Sequence, residues 1–206
     1  MASVRPEQIP PSSEDPTSID VGAMENLRYI RDTIEAAHEF TSVPGKGCIA
    51  MGATGFVAAA LTSISSLAPY WIWIWPGAAI IATFLAAIFL LGKAKRQGLS
   101  LWRGVAQRFF LTLLPGLLAG AVLTVGLYRS GTHELIAGVW LLLYGASLAA
   151  SGVFSIRVVM VAGFSFMLLG TLALIGPASW STALLAVGFG GIHVVLGTVI
   201  WRRHGG

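Results

Sequence analysis

From residue 47 to residue 201 the chain is a succession of long apolar runs, separated by short breaks that hold glycine, proline or basic residues. A helix that crosses a bilayer needs roughly 20 mainly apolar residues, and six runs meet that length, at about 47–66, 71–92, 109–127, 135–153, 158–176 and 181–201. The pattern predicts an all-α polytopic membrane domain over residues 44–206, with six transmembrane helices and both termini on one side. Ahead of it the pattern changes. Across residues 20–43, Met24, Leu27, Ile30, Ile34 and Ala37 recur at spacings of three or four, while Glu25, Arg31, Asp32, Glu35 and Glu39 lie largely off that stripe. This predicts an amphipathic helix, ended by Pro44 and Gly45. Residues 1–19 hold four of the nine prolines and little that could be buried, which predicts a disordered tail.

Charge orients these elements. After Glu39 the chain has a single carboxylate, Glu134. Of the thirteen basic residues, Arg5, Arg28, Arg31, Lys46, Lys93, Lys95, Arg96, Arg103, Arg108, Arg157, Arg202 and Arg203 fall on the side of the termini, and only Arg129 falls on the other. By the positive-inside rule both termini and the 93–108 loop are expected in the cytoplasm. Trp71, Trp73, Trp140 and Trp180 are expected near the outer boundary, and Trp102 and Trp201 near the inner one. The first 30 residues lack a basic stretch followed by an apolar one, so the first span is expected to target the chain. The net charge of +4 is divided among separate segments and never forms one basic face, which argues against nucleic acid as a partner. Cys48 is the only cysteine, so neither an intrachain disulfide nor a cysteine-based metal cluster can form within one chain. No cofactor is expected.

Candidate functional residues are few. In the first span Cys48, Gly52, Gly55 and Ala59 make a smooth seam, and in the last span Ala186, Gly190, His193 and Gly197 make a second one. Small seams let helix backbones approach closely, so the two are expected to pair. His193 is the one ionisable residue well inside a span, and such a residue is a candidate ligand or proton site. The alternative is a structural imidazole bonded to one hydroxyl, such as Tyr144 or a serine of span 4. Arg129, His133 and Glu134 share the loop YRSGTHE, which reads as a solvated turn with a local ion pair. The inner loop KAKRQGLSLWRGVAQR carries Lys93, Lys95, Arg96, Arg103 and Arg108 without an acid. It suits anionic headgroups, or an acidic partner. No Ser-His-Asp set, zinc-binding helix or phosphate-binding glycine loop is present, so an enzyme is not expected.

Two stretches, ENLRYIRDTIEAAHEFTSVPGKGCIAMGATG and GFGGIHVVLGTVIWRRHGG, together with LLLYGASLAASGVFSIRVVMVAGFSFMLLG between them, resemble a family of small, uncharacterised bacterial six-span membrane proteins. The resemblance covers most of residues 24–206 and implies a fold without an assigned activity, cofactor or catalytic residue. The hairpins of spans 3 to 6 also resemble HdeD-type acid-stress membrane proteins in their repeated LLxG and IGP elements. The expected function is a non-enzymatic interaction or stress-sensing role in the bilayer. A protein partner, or a second copy, would meet residues 20–43 through Leu27, Ile30 and Ile34, and the basic loop through Lys93, Lys95, Arg96 and Arg103. The alternative is a small transporter or channel for a neutral or apolar solute, because ion-coupled carriers usually need carboxylates or paired charges at mid-depth.

Overall fold

The computed structural model describes residues 22–30, 43–97 and 103–204 and divides the chain into two units, Met1–His38 and Glu39–Gly206. In the first unit residues 22–30 are helical, and Met24, Leu27 and Ile30 are exposed. Ile34, the remainder of the predicted amphipathic helix and the predicted tail lie outside the described residues.

Over its described residues the second unit is all-α and is that of a polytopic membrane protein, with six helices long and apolar enough to cross a bilayer. We label the helices α1 (Gly45–Ser63), α2 (Trp71–Gln97), α3 (Gly104–Arg129), α4 (Ile136–Ser151) and α5 (Arg157–Ile175). The last span is composite: α6 (Ser181–Leu185) runs through a π-helical segment, Ala186–Ile192, into α7 (His193–His204). Two helices outrun their apolar runs. α2 continues through Lys93, Lys95 and Arg96, and α3 begins at Gly104, so these basic residues are helical, and most of the expected inner loop is absorbed into helix. Lysine and arginine are good helix formers, and cations in a last turn complement the carbonyl end of the helix dipole. Gly104, at φ 63°, provides the left-handed turn that opens α3.

Glycines set how the helices meet. Along α4 and α5 they recur in steps of seven in one antiparallel register: Gly138 lies against Leu174, Gly145 against Met167, and Gly152 against Met160. From the other side Gly163 approaches Ala149, and Gly170 approaches Leu142. A Cβ at Gly145 would stand 2.7 Å from the Gly163 carbonyl oxygen, closer than packed carbon can come. Among the described helices this hairpin makes the most extensive contact, and its heptad is not evident in the sequence. α3 joins it through Gly116 against Leu143 and Ser147, and through Gly120 beneath the Trp140 ring. Trp140 Nε1 donates to Thr124 Oγ1 at 2.8 Å, so this indole lies between two helices, where it satisfies a hydroxyl.

α1 packs between α2 and the last span. Gly47 lies against Phe89 of α2, and Lys93 Nζ donates to the Val43 carbonyl at 3.3 Å. On its other face α1 runs antiparallel to the last span, with Gly45 opposite Gly197 and Trp201, Gly52 opposite Gly190 and Val194, and Gly55 opposite Phe189 and Gly190. The core gathers Cys48, Leu141, Leu148, Val159, Phe166, Leu196 and Ile200 from α1, α4, α5 and α7.

A candidate polar site in the last span

The last span departs from α-helix where its glycines are densest. AVGFGGI, Ala186–Ile192, adopts π geometry, the widened form that often marks a functional position. Its glycines let neighbours close in from two sides: a Cβ at Gly188 would meet Leu141 and Phe166, and one at Gly190 would meet the Phe56 ring. At the segment's end the His193 amide bonds to the Gly190 carbonyl, three residues back. The Phe189 carbonyl, its ordinary α-helical partner, instead lies 3.1 Å from His193 Nδ1.

His193 is 2% exposed, and its second nitrogen, Nε2, lies 2.8 Å from the Tyr144 hydroxyl of α4. A carbonyl only accepts, so Nδ1 carries the hydrogen. In the neutral ring Nε2 therefore accepts from Tyr144. Aromatic rings surround the pair: Phe166 stands edge-on to Tyr144 with centroids 4.9 Å apart and to His193 at 5.3 Å, while Phe189 stacks on the imidazole at 6.0 Å and tilts against Tyr144 at 5.2 Å. Four side chains from α4, α5 and the last span thus make one cluster. Both imidazole nitrogens are engaged, so a ligand reaches Nε2 only when the Tyr144 hydroxyl turns away. Ser151 sits seven residues beyond Tyr144 on the same face of α4, fully buried, with its Oγ unpaired.

Several expectations are redrawn. The predicted seam of the last span included His193 in line with Gly190 and Gly197. In the structure the line that meets α1 is Gly190, Val194, Gly197 and Trp201, while the imidazole turns toward Tyr144 and Phe166. The reason is geometric: a step of three after Gly190 falls about 60° short of the face, while steps of four and three alternate along it. On α1 the facing line is Gly45, Ile49, Gly52 and Gly55. Cys48 is a buried free thiol in the core, and Ala59 is buried. Ala186 opens the π segment and is partly buried.

The loop between α3 and α4 holds His133 and Glu134 in a short 3-10 turn, with the His133 ring 5.0 Å from Tyr128. Lys95, Arg96 and Arg103 are exposed and Lys93 is buried. Among the described residues no group of three or more His, Cys, Asp or Glu side chains could hold a metal. The π segment was not expected from the sequence; of the two hydroxyls expected for His193, the structure selects Tyr144 and leaves Ser151 of α4 unpaired. GFGG, three glycines in four residues before a lone histidine, was the available signal. Comparison with family models, curated proteins and solved structures found no match.

Proposed function

We propose that this protein is a non-enzymatic interaction or sensory component of a bacterial cytoplasmic membrane, with both termini in the cytoplasm. The carrying observation is the exposed apolar stripe of the first unit. Met24, Leu27 and Ile30, at steps of three on one helix face, are 71%, 64% and 52% exposed. Apolar side chains of this size on one face of a helix are ordinarily buried against something, and the sequence pattern continues the stripe to Ile34. The twelve-to-one division of basic residues supports the cytoplasmic placement. The saturated Tyr144–His193 pair supports a packing role for the one intramembrane imidazole, and weakens the reading as a carrier.

The test is affinity purification from native membranes of the full chain and of a Leu27→Asp/Ile30→Asp variant. The expected result is one stoichiometric partner, or a second copy, that the variant loses while its bundle keeps the same melting profile in detergent. Solute flux in liposomes by both proteins, with no partner for either, would sink the proposal in favour of the transporter reading.

A further inference from the structure

Helix packing sorts the basic residues into two groups that are not evident in the chain order. α1 begins at the end of the bundle where α2 and α7 finish, because Gly45 lies against Trp201, Gly47 against Phe89, and Lys93 reaches the Val43 carbonyl. Lys46, Lys95, Arg96, Arg202 and Arg203, all exposed, are therefore at that end, the α1–α2–α7 corner, with α1 and its Lys46 between the basic turns of α2 and α7. Arg103 and Arg108, at the start of α3, and Arg157, the first residue of α5, belong instead to the side of α4. The first corner also presents an indole. Trp201 is 48% exposed, and Lys46 Nζ stands 5.6 Å above its ring centroid.

Five like charges at one corner repel one another. The one carboxylate among the described residues of this unit, Glu134, precedes α4 at the opposite end of the bundle. A membrane offers the compensating charge at this depth: lipid phosphodiesters lie at the headgroup level, where basic clusters between helices bind anionic lipids and where tryptophan rings settle. Arginine forks pair with phosphate oxygens through two parallel hydrogen bonds, while lysine acts as a point charge. We infer that the α1–α2–α7 corner is a binding site for an anionic phospholipid headgroup, gripped by Lys46, Arg202 and Arg203, flanked by Lys95 and Arg96, and with Trp201 against the glycerol region. The chemistry recognised is a phosphodiester. The source is the surrounding leaflet.

Native mass spectrometry of the full chain in detergent, supplied with phosphatidylglycerol or phosphatidylcholine, tests the assignment. Wild type retains phosphatidylglycerol in preference. The Lys46→Gln/Arg202→Gln/Arg203→Gln variant loses that preference by roughly two orders of magnitude, about fivefold for each charge. Arg103→Gln/Arg108→Gln/Arg157→Gln, the same change of charge on the other side, keeps it. The Lys95→Gln/Arg96→Gln pair provides a milder loss should the first variant fail to fold. Equal losses from both triple variants would show attraction by net charge alone and overturn the site. So would unchanged retention in the first triple variant and in the Lys95/Arg96 pair. Displacement of the lipid by millimolar inorganic phosphate would assign the corner to a free anion and overturn the lipid source.

Discussion

α2 and α4 are both long apolar helices, yet the most apolar stretch of α2 contains no buried residue, while more than half of the less apolar α4 segment is buried. Along α2, Trp73, Ile80, Ile81, Phe84, Ile88 and Leu91 are all exposed, and Gly77 and Gly92 have nothing within 4 Å of where a Cβ would stand. Along α4, Gly138, Gly145 and Gly152 each have a neighbouring helix pressed against them. Lipid tails are as apolar as leucine, so hydrophobicity cannot drive one helix onto another within the bilayer. In this molecule side-chain volume, and not hydropathy, separates the helices that face lipid from those that face protein.

The largest effect is expected where that distinction is sharpest. Gly145→Leu places a side chain into the backbone of α5, whose Gly163 carbonyl oxygen would lie 2.7 Å from its Cβ. Rigid helices on both sides leave no flexible group to yield, and overpacking of this kind costs about 3 kcal/mol or more. A thermal melt in detergent should show a drop of many degrees or outright loss of folded protein. A melt within error of wild type would mean that the α4–α5 heptad does not hold the bundle together.

Next in size is the Tyr144–His193 pair. Tyr144→Phe keeps the ring contacts with Phe166 and Phe189 but removes the hydroxyl that faces Nε2, leaving a buried polar atom without its donor. The expected cost is about 1–2 kcal/mol. A double-mutant cycle with His193→Leu should return a coupling of about 0.6–1.7 kcal/mol, the range measured between membrane helices. Additive single effects would show that the two side chains, though adjacent, are energetically independent.

The same two helices show how much could be read in advance. Six spans, their order and the exposed stripe of Met24, Leu27 and Ile30 follow from periodicity alone, because runs of about 20 apolar residues have few other structural uses. Gly52 and Gly190 also stood out, since small residues at steps of three and four mark one helix face. The α4–α5 heptad did not, because Gly138, Gly145 and Gly152 are each separated by six larger residues, and the partners Leu174, Met167 and Met160 are not small. The orientation of His193 was equally hidden. It depends on a π segment that inserts within one helix, and a local change of hydrogen-bond register leaves no trace in hydrophobic periodicity. Tyr144 could be named as one of two candidate partners, beside a serine of span 4, but its ring neighbours Phe166 and Phe189 could not. The corner formed by Lys46, Lys95, Arg96, Arg202 and Arg203 depends on helix order in the bundle, which charge counting leaves open.

The smallest expected effect tests the lipid-facing half of the contrast. At Gly77 and Gly92 an added methyl meets nothing within 4 Å, so Gly77→Ala and Gly92→Ala should each stay within about 0.5 kcal/mol of wild type. The sign should lean toward stability, because alanine restricts the unfolded chain and favours helix over glycine. Gly145→Ala provides the matched comparison, since the same single methyl there meets the α5 backbone. If all three substitutions lower the melting temperature alike, the α2 glycines are packed in the membrane against something, and a second copy of the chain becomes the first candidate for what covers them. If Gly145→Ala alone destabilises, α2 faces lipid, and the division between a packed α4–α5 pair and a lipid-facing α2 stands.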